Sequence, residues 1–165
     1  MDPGRRYFFP IVGYNYRMTN VAAALLCAQL ERRDVMLAAR RSLYEDYREG
    51  LAGNPGIQFQ PVASWAEICP WSFPVVLNQD CPVSRDELMA GLDELGIETR
   101  PFFIPVHELP PYREEWARQK VDGELLPVTS RLASAGLLLP TASTYGKRVA
   151  VRVCEAVAAI TTGRR

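Results

Sequence analysis

This sequence has little of what amine and imidazole chemistry needs. Lys120 and Lys147 are its only lysines, and His107 is its only histidine. Lys120 sits in a polar run, Gln119-Lys120-Val121-Asp122, and Lys147 lies near a helix start. Neither has the apolar surroundings that lower an ammonium pKa for Schiff-base work. Cys27, Cys69, Cys81 and Cys154 are scattered with no Cys-x-x-Cys pair, which reads as reduced thiols in an intracellular protein. One histidine and widely spaced thiols leave no expected zinc set. No apolar run approaches the ~20 residues of a membrane span. Met1-Asp2-Pro3-Gly4-Arg5-Arg6 has no apolar stretch behind it and does not read as a signal peptide, so the expected location is the cytoplasm. There is no surplus of either charge: 19 basic and 19 acidic residues give a net charge of +0. Nucleic acid and anionic membrane are therefore not expected as main partners, since both favour a basic excess. A P-loop, a Gly-x-Ser-x-Gly elbow and a Gly-x-Gly-x-x-Gly turn are all missing.

At 165 residues, with 48% hydrophobic and 23% charged, the chain has the size of one soluble domain or of a piece of something larger. Residues 1–18 are irregular, with Pro3, Gly4, Pro10 and Gly13 as breakers. Thr19 or Asn20 is placed to cap a helix that the pattern carries from Val21 to about Leu51. Its start, Ala22-Ala23-Ala24-Leu25-Leu26-Cys27-Ala28, is apolar all round, which predicts burial against a second domain or subunit. Strands are expected over 57–62, 71–77, 97–103 and 136–140, with Pro74 favouring an edge or a bulge. Ser84-Arg85-Asp86-Glu87 reads as a capping box opening a helix with Leu88, Leu92 and Leu95 on one stripe, ended by Gly96. Short helices are expected over 112–120 and 128–133. A last helix, capped by Ser143 or Thr144, carries Val149, Val153, Val157 and Ile160. The fold class is α/β in the α+β sense: a long N-terminal helix and a small, mostly antiparallel sheet of three or four strands with helices against one face.

The chemistry-bearing residues cluster in two places. Gly13-Tyr14-Asn15-Tyr16-Arg17-Met18-Thr19-Asn20 puts two phenols, an amide and a guanidinium just before a helix. An anion near a helix entry is favoured by free N–H groups, and Asn and Arg add donors. A capping loop tied down by Asn15 and Arg17 is the other reading, and both stand. His107 follows Arg100-Pro101-Phe102-Phe103 between prolines. It reads either as an ordinary loop residue or as a pre-ordered imidazole beside a phosphate-holding Arg100. Tyr7, Phe8 and Phe9 read as an apolar strip for a neighbouring domain, and Trp65, Trp71 and Trp116 as core or interface.

The run Gly13 to Asn20, with Ala22-Ala23-Ala24 and Gln29-Leu30-Glu31 behind it, resembles the opening of the C-terminal half of the DegT/DnrJ/EryC1/StrS family. Met1-Asp2-Pro3 with Arg6-Tyr7-Phe8-Phe9 is similar to its perosamine-synthase-like branch. The runs 96–103, Pro105-Val106-His107 and 136–140 follow in the right order. The resemblance implies pyridoxal-phosphate-dependent nucleotide-sugar aminotransferases of the aspartate-aminotransferase fold, and here the small C-terminal domain of that fold. It implies a loop (1–18) reaching across a dimer interface ahead of the small domain (19–165). Asn15 would bond the cofactor phosphate of the partner, Tyr14 and Arg17 would lie beside that site as substrate-binding residues or brace the loop, and Arg100, Phe103 and His107 would bind the nucleotide-sugar end of the substrate. It also implies an amino donor such as glutamate. The family's Schiff-base lysine and the acid on its pyridine nitrogen belong to a large N-terminal domain that this sequence does not contain, so no catalytic residue is expected here. The expected partner is a large domain or a second copy, and the fragment alone is expected to be inactive and to self-associate. A sugar dehydratase fragment, in which histidine replaces the lysine, and a non-catalytic interaction module are the alternatives.

Overall fold

The computed structural model describes residues 4–118 and 126–163. The surroundings of Lys120, the end of the helix expected over 112–120, the Met1–Pro3 leader and Arg164–Arg165 lie outside the described residues.

The single helix expected from Val21 to Leu51 is two: α1 (Asn20–Leu30) and α2 (Arg33–Gly50). At the join the Glu31 N–H still reaches the Cys27 carbonyl at 3.1 Å, but the Arg32 N–H bonds only three residues back, to Gln29 at 3.0 Å. No proline or glycine stands there. The difference lies in what each helix touches. α2 buries Leu43, Tyr44 and Tyr47, whereas α1 buries no residue. The apolar pattern runs through the break because it reports composition, and the break reports tertiary packing.

Four short strands follow: β1 (Ile57–Phe59), β2 (Phe73–Leu77), β3 (Arg100–Pro101) and β4 (Gly136–Leu139). They form one sheet in the order β1-β2-β4-β3, every pair antiparallel. β1 and β3 are shorter than the alternation over 57–62 and 97–103 predicts. Pro74 does not mark an edge strand, since β2 pairs with both β1 and β4. β1 ends opposite Val75, however, so Pro74 faces only Leu138 of β4 and its missing N–H costs no rung on the β1 side.

Phe73, Val75 and Leu77 alternate inward along β2, and Leu137 and Leu139 join them from β4. α2, α3 (Arg85–Glu94) and α6 (Lys147–Thr162) cover this face, as expected, through Leu43, Tyr47, Leu88, Leu92, Val153 and Val157. Phe73 is the hub: its ring lies 4.8 Å from Tyr44, 4.9 Å from Tyr47 and 5.8 Å from Phe59. The Tyr47 hydroxyl, fully buried, donates to the Pro140 carbonyl at 2.8 Å. Burial pushes that phenol well above its ordinary range, and Cys154 and Tyr145 add to the effect. Burial also pushes the Cys154 thiol up to about 11, with Asp46 and Glu155 adding.

The capping box forms as read. Ser84 Oγ accepts the Glu87 N–H at 3.3 Å and Glu87 Oε2 accepts the Ser84 N–H at 2.7 Å. The Ser84 N–H and the Ser84 hydroxyl, which also donates to Oε2 at 2.7 Å, hold the Glu87 carboxyl below its usual range. Leu88 and Leu92 are buried, but Leu95 is exposed because α3 ends there and Gly96 turns away at φ +70°. α6 is not capped by Ser143 or Thr144. It starts after Gly146 with no side-chain cap, because residues 142–145 close a turn of their own through a 3.0 Å bond from the Tyr145 N–H to Ala142. The remaining elements are a 3₁₀ turn (Val106–Glu108), α4 (Pro110–Arg118) and α5 (Pro127–Ala135). No described helix is long and apolar enough to cross a membrane.

Candidate functional site

The loop ahead of α1 is laid open. Residues 9–22 are all exposed, with Tyr14 at 84% and Tyr16 at 87%, their rings 6.3 Å apart. Thr19 is the cap: its Oγ1 accepts the Ala22 N–H at 3.2 Å. Asn15 does a different job. Its Oδ1 accepts the Arg17 N–H at 2.8 Å, and Arg17 sits at φ +72°, in the left-handed region that L-residues seldom adopt. An Asx tie of this kind stabilises such a turn. Among the described residues the Asn15 amide nitrogen donates no hydrogen bond. Among the described residues the exposed Arg17 guanidinium has no hydrogen bond or ion pair. The oxygen of Asn15 is thus structural within the turn.

Arg100, Phe103 and His107 lie on a second part of the surface. Arg100 is exposed on β3, paired with Leu138 of β4. Phe103 is met edge-on by Tyr7 at 4.5 Å. Beside it Arg6 donates to the Thr99 carbonyl at 3.4 Å and pairs with Glu98 at 3.2 Å. The N-terminal strip thus docks on its own chain at Arg6 and Tyr7, which corrects the expectation of a strip wholly devoted to a neighbour. His107 turns toward α4, its ring 5.7 Å from Trp116 and its Nε2 3.9 Å from Glu108. Among the described residues no hydrogen bond, ion pair or ring contact joins Tyr14, Asn15 or Arg17 to Arg100, Phe103 or His107. The chain carries two groups and does not bring them together by its own contacts.

The pattern reading missed a cleft of about 840 Å³ where β3 runs out beside β4 and the start of α6 passes over the gap. Arg100 forms one wall, and Trp71, Tyr145, Arg148 and Arg152 form others. The available signal was the four-residue spacing of Arg148 and Arg152 on one helix.

A pyridoxal cofactor needs a phosphate cradle at one end and an amine in a dry pocket at the other. The free Asn15 amide and Arg17 fit the first. Lys147 does not fit the second: its side chain is 73% exposed and its Nζ lies 3.8 Å from Asp46. Among the described residues no cluster of three or more His, Cys, Asp or Glu is placed to hold a metal.

Comparison with known proteins follows these lines. Residues 1–158 match the DegT/DnrJ/EryC1/StrS aminotransferase family. The chain is 44% identical over 142 residues to the GDP-perosamine synthase of Caulobacter vibrioides, covering 86% of this chain and 37% of that protein. It is 40% identical over 138 residues to the GDP-perosamine synthase of Vibrio cholerae, covering 84% of this chain and 36% of that one. The crystal structure of S. venezuelae DesV superposes with a TM-score of 0.75 at 30% identity, covering 98% of this chain and 41% of DesV. The chain therefore spans little more than a third of the length of these curated relatives. On the strength of the match over residues 1–158, the chain belongs to the DegT/DnrJ/EryC1/StrS aminotransferase family.

Proposed function

We propose that this chain supplies the small C-terminal domain of a cytoplasmic pyridoxal-phosphate-dependent aminotransferase acting on a GDP-linked keto-sugar, with an amino donor such as glutamate. Residues 19–165 are the small domain, and residues 1–18 the loop that reaches a cofactor held by another domain or subunit. The observation that carries the reading is the 44% identity to a GDP-perosamine synthase across 86% of the chain. The free amide of Asn15 supports the residue role, because a neutral donor suits a phosphate oxygen. Tyr14 and Arg17 flank that donor. Arg100, Phe103 and His107 serve the nucleotide-sugar end, and the separation of the two groups fits a site completed by a second polypeptide surface. The exposed apolar length of α1 supports the same arrangement, with a homodimer or a large domain covering it. Amino transfer stands ahead of sugar dehydration because the matched family is described by the former. In the complete enzyme the cofactor supplies the electron sink, and the residues of this chain hold its phosphate and orient the sugar nucleotide.

The test uses Asn15→Asp in the polypeptide that joins a large domain to these residues. Aspartate keeps the oxygen that ties Arg17 and replaces the donor with a negative charge. A charged hydrogen bond is worth about 1.5–3 kcal/mol, so cofactor affinity should fall roughly 10- to 100-fold while the fold is kept. Unchanged affinity refutes the assignment of Asn15. The present chain mixed with pyridoxal phosphate should give no stoichiometric change in cofactor absorbance, and a stoichiometric change refutes its role as a non-catalytic part.

A further inference from the structure

Residues 5–8 make a four-residue turn, closed by the Phe8 N–H donating to the Arg5 carbonyl at 3.3 Å. Tyr7 stands at its third position with φ +61°. Glycine or asparagine is the usual occupant there, because a positive φ crowds a Cβ against the backbone. A bulky residue at such a φ is unfavourable by itself and persists where its surroundings hold it. Arg6 supplies part of the hold: it pairs with Glu98 at 3.2 Å and donates to the carbonyl of buried Thr99 at 3.4 Å. Across the turn the Arg5 guanidinium lies 4.8 Å from the centre of the Phe8 ring. Neither contact uses the side chain at position 7, so the turn alone gives no reason for a tyrosine. The reason lies in Phe103, which Tyr7 meets edge-on with the rings 4.5 Å apart and inclined at 70°. The backbone on either side of Phe103 is set by the Phe102 N–H bond to the Gly136 carbonyl at 3.0 Å and by buried Pro105. Its ring is 54% exposed, and among the described residues Tyr7 is the one aromatic partner it has. A half-exposed phenylalanine has several staggered rotamers open to it, and an edge-to-face partner at this distance favours one.

We propose that Tyr7 is a positioning residue: it holds the Phe103 ring in the orientation that receives the sugar nucleotide, and the Arg6 bonds to Glu98 and Thr99 fix the turn that presents it. The inference rests on the role given to Phe103 above and adds a residue which that reading leaves out. Both rings belong to one chain, so the contact needs no second polypeptide to form.

Two measurements test it. In the present chain, NMR of labelled phenylalanine follows the Phe103 ring, its signals identified by their loss in Phe103→Leu. Tyr7→Gly should move those signals and leave those of Phe73, in the core, where they are. In the polypeptide that joins a large domain to these residues, isothermal titration with GDP-mannose reads the contact as affinity; this probe has a nucleotide and a hexose but no keto group to react. Phe103→Leu and Tyr7→Gly should each weaken binding roughly two- to tenfold, the worth of one aromatic pair. Tyr7→Phe, which keeps the ring, should recover most of the loss, and Tyr7→Gly should add nothing in the Phe103→Leu background. A residue that served the turn alone would not behave so, since glycine fits φ +61° better than tyrosine. Unmoved Phe103 signals overturn the inference. Weakening by Phe103→Leu but not by Tyr7→Gly overturns it alone and leaves the proposed function standing, whereas Phe103→Leu without effect removes the role of Phe103 and this inference together.

Discussion

Gly136→Ala tests how tightly the edge carrying Arg100 and Phe103 is built. Gly136 opens β4 in an ordinary extended conformation, φ −95° and ψ 143°, so its need for glycine is not one of backbone dihedral. It is one of space. A Cβ there would stand 2.3 Å and 2.5 Å from Cδ2 and Cε2 of Phe102, and 2.6 Å from the Leu132 carbonyl oxygen. The ring can swing, at the cost of its packing. The carbonyl cannot, because it accepts the Gly136 N–H at the end of α5. The clash also falls across a bonded pair, since the Phe102 N–H donates to the Gly136 carbonyl at 3.0 Å. Overpacking of this kind costs about 1–3 kcal/mol. For a chain of this length that is a fall of about 3–10 °C in the thermal midpoint. Circular dichroism melts and urea titrations of the two chains measure it. Phe102→Leu should relieve the ring contact but not the carbonyl contact, so Gly136→Ala should still destabilise in that background. A difference within about 0.5 kcal/mol, the range of a harmless surface change, refutes the reasoning.

Other expectations are smaller in scope. Ser84→Ala removes the cap of α3 and should destabilise by about 1 kcal/mol in a urea titration; it should also return the Glu87 carboxyl toward its usual acidity in an NMR titration. Alkaline stability should follow Cys154. Its thiol stays protonated in the fold to about 11, while the unfolded chain releases the proton near 9.0. The unfolded state thus binds fewer protons in that window, and the contribution, whole below 9, is lost as pH climbs toward 11. Cys154→Ala should flatten that slope in midpoints measured across the window, and an unaltered slope would assign it to other groups.

Local patterns were legible in the sequence where the cause is local. Ser84 and Glu87 announce their cap because both partners lie within one turn. The stripe of Val153 and Val157 announces a buried face because a helix repeats it. The apolar start of α1 is legible too, but the structure leaves that helix exposed rather than buried. What failed has a tertiary cause. Nothing near Glu31 or Arg32 breaks a helix, and the interruption comes from α2 being gripped by the core while α1 is not. Ser143 and Thr144 are good caps lost to a competing turn. The split between the Asn15 group and the Phe103 group is invisible in a list of residues, as is the cleft that Arg100 and Arg148 both line from elements far apart in the chain.

The sheet has one further consequence. Its two outer strands are three and two residues long; Pro61 lies two residues past the first, and Pro101 ends the second. Neither rim offers a row of open peptide groups on which a foreign strand could template itself. This domain is thereby steered away from fibrous growth even with α1 bare, and whatever joins it must come by side-chain recognition rather than by extending its ladder.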